Sequence, residues 1–288
     1  MTGATRVAVV GAGTMGHGIA YVCARAGCFV SLTDADAGQL QRGIAGIDAA
    51  FAKAIERGRA TVEQRDTGMS SLAAVPSVTE AVRGADIVIE AIPERLALKQ
   101  GLFAQIEPLV ADTALLASNT SSLSIAAIGA SLARRDRLLG LHFFNPVPVM
   151  QLLEIVRGTE TSDAAVDTAQ AFAARLGKTA IVVRDTPGFA TSRIGVVLGL
   201  EAIRMLEQGV ASAEDIDRAM ELGYNHPLGP LRLTDLVGLD VRLAIADHLH
   251  ATLGGATYAA PELLRQKVRD GHLGKKSGQG FYRWENGK

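Results

Sequence analysis

The sequence predicts an α/β fold: a doubly wound, largely parallel sheet over residues 1–185, followed by an all-α domain over residues 186–288. Three observations carry this expectation. Short β-branched runs alternate with helical stretches from Arg6 to about Arg184, the pattern that builds βαβ units. At Thr186, Pro187 and Gly188 the strand-like runs stop and only helical patterning continues. A chain of 288 residues, 48% hydrophobic and 20% charged, has the composition of a globular protein with room for two domains.

In chain order the expected strands are "RVAVV", "CFVSLTD", "DIVIEAI", "TALLAS", "RLLGLHFF", "MQLLEIV" and "TAIVV". Between the second and third lies a helical insertion at about residues 44–72. There Ile44, Ile47, Phe51, Ala54 and Ile55 recur at helical spacing, and Thr61 with Gln64 forms a capping-box pattern. The second domain opens with "FATSRIGVVLGLEAIRMLEQG", closed by Gly209. "SAEDIDRAMELG" follows between Ser212 and Gly223, and then one long helix, "LRLTDLVGLDVRLAIADHLHATLG", closed by Gly254. Its first helix is apolar around much of its circumference, from Ile194 through Val196, Val197, Leu198 and Leu200 to Ile203. Such a helix is expected to be buried, within its own domain or against a second subunit.

Lys and Arg number 29 against 30 Asp and Glu, a formal net charge of −1. No global field would draw the chain to nucleic acid or an anionic membrane. No apolar stretch approaches the roughly 18 residues of a membrane span. Cys23 and Cys28 are spaced for neither a redox pair nor a zinc knuckle. They read as buried thiols in a reducing compartment, and the first residues lack a signal-peptide pattern, so a cytoplasmic location is expected. No metal site is expected, since His248 and His250, two apart on a helix, point to different faces.

"VAVVGAGTMGHGIA" places Gly11, Gly13 and Gly16 between a strand and a helix. Gly11 permits a tight turn, Gly13 admits a pyrophosphate to the backbone, and Gly16 lets helix and strand pack closely. Thr14 and Met15 lie between the last two glycines, where helix N–H groups face phosphate. Asp34, eighteen residues beyond Gly16, ends the second strand. A carboxylate there accepts hydrogen bonds from a ribose and repels a 2′-phosphate, so NAD is expected over NADP in a Rossmann-type domain.

Nicotinamide chemistry needs a group that moves a proton as the hydride moves. His142 stands at the carboxyl end of "RLLGLHF", where open α/β sheets place ligands. Glu154 interrupts the apolar "MQLLEIV" twelve positions later. A buried charge requires compensation, and pairing with His142 would orient the imidazole. A structural histidine and an edge glutamate that never meet is the other reading left open.

"GAGTMG", "EAIPE", "SNTSS", "HFFNPVPVMQLLEIV", "DTPGF", "HPLGP" and "GKKSGQGFY" occur in the order found in the 3-hydroxyacyl-CoA dehydrogenase family. The chain resembles especially its bacterial 3-hydroxybutyryl-CoA dehydrogenases, over nearly its whole length. The resemblance implies NAD-dependent, reversible oxidation of a (3S)-3-hydroxyacyl-CoA to the 3-oxoacyl-CoA. It makes His142 the catalytic base and Glu154 its orienting partner. Ser121 and Asn145 would then bond substrate or cofactor near the reacting carbon, with Glu94, Lys99 and Lys276 close to the cofactor. A homodimer through the C-terminal helical domain follows by the same analogy. Ser192 stands where many family members carry Asn, which puts its contact to the substrate carbonyl in question. Lys53, Arg57 and Arg59 on the insertion are available for the CoA phosphates or form a solvated basic face. Two other readings stay open: a dehydrogenase of a non-CoA hydroxyacid or sugar acid, and a catalytically silent NAD-binding structural protein.

Overall fold

Eight strands form one sheet in the computed structural model, which describes residues 5–284. The first four residues of the expected first domain and the last four of the second lie outside the described residues. The strands are β1 (Arg6–Val10), β2 (Phe29–Thr33), β3 (Leu72–Ala74), β4 (Ile87–Glu90), β5 (Leu115–Ser118), β6 (Leu138–Phe143), β7 (Leu152–Arg157) and β8 (Thr179–Arg184). Their order across the sheet is β3-β2-β1-β4-β5-β6-β7-β8. β3, three residues long, is too short to give a periodic signal. β6 and β7 pair antiparallel while every other neighbouring pair is parallel. The segment between them, residues 144–151, is too short for a crossover helix, so the chain turns back on itself.

The described residues divide into two compact units between Thr186 and Pro187. In the first, α1 (Thr14–Arg25) joins β1 to β2, and α2 (Ala37–Glu56) with α3 (Val62–Ser70) forms the insertion before β3. The insertion starts earlier than residue 44, because Asp36 caps α2 by accepting from Gly38 N at 2.7 Å. On α3 the capping box forms: Thr61 Oγ1 accepts from Gln64 N at 3.1 Å, and Thr61 N donates to Gln64 Oε1 at 3.0 Å. The Tyr21 and Phe51 rings meet edge-on at 4.6 Å. A Cβ at Gly68 would lie 2.5 Å from Phe51, so α3 can approach this pair only with glycine there. Helices α4 (Val78–Val82), α5 (Leu96–Ile106), α6 (Ile125–Ile128) and α7 (Asp163–Arg175) complete the unit. β4, β5 and β6 are buried throughout, as strands covered on both faces must be. Side chains such as Ile87, Ile89, Leu141 and Ile155 are fully buried, each contributing about 1.5–3 kcal/mol.

The second unit contains α8 (Thr191–Glu207), α9 (Ala213–Gly223), α10 (Pro230–Val237), α11 (Leu239–Leu253) and α12 (Glu262–Arg269). The expected long third helix is two helices. Gly238 between them takes φ 102°, a conformation that interrupts a right-handed helix and suits glycine. α8 buries Val196, Leu200 and Ile203, but Ile194 is 61% and Leu198 40% exposed, so it has a buried side and an apolar open one. Two buried acids tie the C-terminal segment down. Asp217 accepts from Leu231 N, Arg232 N and the Tyr282 hydroxyl, and Asp235 from Phe281 N, Tyr282 N and Trp284 Nε1. Among the described residues no helix is long and apolar enough to cross a membrane.

Candidate active site

Strands β1 to β6, mutually parallel, deliver their carboxyl ends to one edge of the sheet. In spatial order that edge carries Asp34 after β2, the glycine loop after β1, Glu90 to Glu94 after β4, Ser118 to Ser122 after β5, and His142 to Asn145 at β6. This is the edge at which open α/β sheets bind ligands.

Gly11 has φ 103°, and a Cβ on it would lie 2.5 Å from the Ala91 carbonyl oxygen. At Gly16 a Cβ would stand 1.7 Å from the Gly11 oxygen. Both glycines are therefore imposed by backbone proximity. Gly13 differs, since a Cβ there would meet nothing within 4 Å. It opens onto a cavity of about 710 Å³ lined by Gly11, Thr14, Met15, Asp34 and Ile92. The first turn of α1 carries no acid and no side-chain cap, so its N–H groups suit a pyrophosphate. Asp34 is held rigidly, with Oδ2 accepting from Ala12 N at 2.7 Å and Oδ1 from Asp36 N at 2.9 Å. These features fit a dinucleotide. His17 is half-buried, its Nδ1 2.9 Å from the Gly13 oxygen.

Glu94 gathers the loop after β5. Its Oε1 accepts from Thr120 Oγ1 at 2.5 Å, Ser121 N at 3.0 Å, and Ser122 N and Oγ at 3.2 Å. Burial pushes the Glu94 carboxyl up, but the Thr120 hydrogen bond, the Lys99 charge and the Ser121 amide outweigh it, leaving the group below the ordinary carboxylate range. Lys99 is 1% exposed and reaches Glu90 Oε1 at 2.5 Å and Glu94 Oε2 at 3.2 Å. The Ser121 side chain stands at the exposed surface of this loop, and the cap of α6 is Ser124, not Ser121.

His142 and Glu154 are direct cross-strand partners in the β6–β7 ladder, so their side chains leave the same face at adjacent positions. Nδ1 of His142 lies 2.7 Å from Glu154 Oε2, with the residues 6% and 0% exposed. The Phe144 ring packs against the imidazole at 4.4 Å. Asn145 follows in the exposed turn after β6. Lys53, Arg57 and Arg59 are exposed at the end of α2 and just beyond it. Ser192, half-buried in the first turn of α8, and Lys276 belong to the second unit, where Lys276 Nζ donates to Asp240 Oδ2 at 2.6 Å.

Sequence reading missed Glu90 and Ser118. Glu90 Oε2 accepts from Ser118 Oγ at 2.5 Å, and Oε1 also accepts from Ile92 N at 2.8 Å. The signal was available, because a charge inside the apolar "DIVIEAI" calls for a partner as one inside "MQLLEIV" does. Asn119 was missed as well; its Oδ1 accepts from Phe143 N at 2.9 Å and fixes the exit of β6.

Residues 6–186 match the NAD-binding domain model of 3-hydroxyacyl-CoA dehydrogenase, and residues 188–284 match the C-terminal domain model of the same enzymes. A probable 3-hydroxybutyryl-CoA dehydrogenase of Bacillus subtilis is 42% identical over 280 residues, covering 97% of each chain. The 3-hydroxybutyryl-CoA dehydrogenase of Bradyrhizobium diazoefficiens is 39% identical over 98% of this chain and 96% of its own. The crystal structure of (S)-3-hydroxybutyryl-CoA dehydrogenase from Ralstonia eutropha superposes with a TM-score of 0.94 at 39% identity, covering 99% of this chain and 100% of the other. With both domain models matched in order and NAD as the cofactor of the first, the chain belongs to the 3-hydroxyacyl-CoA dehydrogenase family.

Proposed function

We propose that the protein oxidises a (3S)-3-hydroxyacyl-CoA reversibly to the 3-oxoacyl-CoA, with 3-hydroxybutyryl-CoA as its main substrate. The observation that carries this reading is the buried His142–Glu154 pair, set on the same sheet edge as the glycine loop. NAD, when bound, supplies the hydride acceptor. Glu154 accepts from Nδ1–H and holds the imidazole in the tautomer whose Nε2 takes the hydroxyl proton. In the reducing direction His142 returns that proton from the same atom. General acid–base help of this kind is worth about 10²- to 10⁴-fold. Ser121 and Asn145 supply positioning and polarisation of the C3 oxygen, the remaining sources of rate.

The substrate assignment draws on relatives named for 3-hydroxybutyryl-CoA. Lys53, Arg57 and Arg59 take the CoA phosphates. Arg59 shares a cavity of about 690 Å³ with Arg25, Arg175 and Lys178, none of them in an ion pair among the described residues, which favours an anionic occupant. The exposed apolar side of α8, with Leu233, Leu236, Val237 and Val241 on the helices packed beside it, supports a homodimer through the helical domain. Cys23 and Cys28 are buried free thiols, in keeping with a cytoplasmic protein.

NADH oxidation with acetoacetyl-CoA, compared with free acetoacetate, tests the reading. Turnover of the thioester alone, faster with NADH than with NADPH, is expected. Comparable turnover of the free acid would make the protein a non-CoA dehydrogenase, and NADH binding without thioester turnover would make it a silent binding protein.

A further inference from the structure

Lys99 sits deep under the site, and its ammonium has three N–H donors. Lys99 donates to Glu90 Oε1 at 2.5 Å and to the Ile92 carbonyl at 3.3 Å, and it forms an ion pair with Glu94 Oε2 at 3.2 Å. Each carboxylate then uses its second oxygen to grip the end of β5. Glu90 Oε2 accepts from Ser118 Oγ, whose oxygen in turn accepts from Thr120 N at 3.2 Å. Glu94 Oε1 accepts from the amides of Ser121 and Ser122. Glu90 and Ser118 also face each other in the β4–β5 register.

We propose that Glu90, Lys99 and Ser118 are positioning residues that act through Glu94 to fix the backbone of residues 120–122, and so aim the Ser121 hydroxyl at the substrate. The functional part rests on the reading of Ser121 given above. Two acids sharing one lysine leave the cluster with a single net negative charge. On the Lys99 and Glu90 side the cluster is closed to water and those bonds cannot be exchanged for solvent, so Glu94 is anchored from below while its other oxygen holds the exposed loop. A loop built on serines and a threonine, which would otherwise sample many conformations, is thereby held to one.

The test uses the full-length protein with Ser118→Ala, which removes one hydroxyl and leaves all charges, and Glu90→Gln, each made alone and with Ser121→Ala. Hydrogen exchange at the Ser121 and Ser122 amides should accelerate about tenfold or more, the loss expected when a bond to a charged group is weakened, while the Val7–Val10 amides stay protected. KM for acetoacetyl-CoA should rise about tenfold in the wild-type background, yet change less than about twofold once Ser121 is alanine, because coupled residues are not additive. Unchanged amide exchange, an equal kinetic loss in both backgrounds, or a loss confined to NADH affinity would each overturn the proposal. Failure of the unsubstituted protein to turn over acetoacetyl-CoA would sink the functional reading instead, with the exchange measurement still deciding the positioning role.

Discussion

Replacing Glu154 with Gln keeps the shape of the side chain and removes its charge. In the structure the carboxylate is fully buried and 2.7 Å from Nδ1 of His142, so no water can substitute for it. A hydrogen bond to a charged group is worth about 1.5–3 kcal/mol net, against about 0.5–1.5 kcal/mol for a neutral one. The difference of about 1–1.5 kcal/mol, if felt where the imidazole takes the proton, slows turnover about tenfold. That is a floor, since an amide presenting its NH₂ to Nδ1 would fix the opposite tautomer and cost more. The assay is kcat for acetoacetyl-CoA reduction beside NADH affinity by fluorescence titration. The expected outcome is a loss in kcat of at least about tenfold, smaller than that of His142→Gln, with NADH affinity unchanged. A kcat within twofold of the parent protein would refute the orienting role of Glu154.

Gly16→Ala places a methyl group 1.7 Å from the Gly11 oxygen; NADH binding and the melting temperature should both fall, by about 1–3 kcal/mol or more in stability, and a normal titration curve would contradict the packing argument. Asp34→Ala should narrow the rate advantage of NADH over NADPH, checked by the ratio of the two kcat/KM values. Charge reversal of Lys53, Arg57 and Arg59 together should raise KM for acetoacetyl-CoA about tenfold or more while leaving NADH affinity unchanged, and an unchanged thioester KM would remove these residues from the phosphate site. Glu94, held below the ordinary carboxylate range in the folded chain, contributes stability that is complete above its unfolded value near 4.5 and is lost as pH falls through its lower folded value. Glu94→Gln should accordingly flatten the melting-temperature profile below about pH 4.5.

How much of this was legible beforehand depends on where the physics is local. The strand runs announced themselves because a sheet covered on both faces needs unbroken apolar segments, and the glycines because backbone contact leaves no room for a Cβ. Glu154 was visible as a charge where burial forbids one. Its partner became certain only with the β6–β7 register, which no local pattern specifies and which a one-residue slip would undo. The break at Gly238 was hidden because apolar spacing continues across it on both sides. Glu90 and Lys99 look, in sequence, like a strand end and a surface helix residue. Only the approach of Lys99 on α5 to Glu90 at the end of β4 reveals a buried ion pair, whose disruption typically costs about 3–5 kcal/mol.

The central claim is that one imidazole, steadied by a buried carboxylate, carries the proton while the hydride moves. His142→Gln tests it most directly, with single-turnover reduction of acetoacetyl-CoA by bound NADH as the readout. The account predicts a rate lower by about 10²- to 10⁴-fold with NADH still bound as tightly as before. A near-normal rate in that variant would show that another group moves the proton.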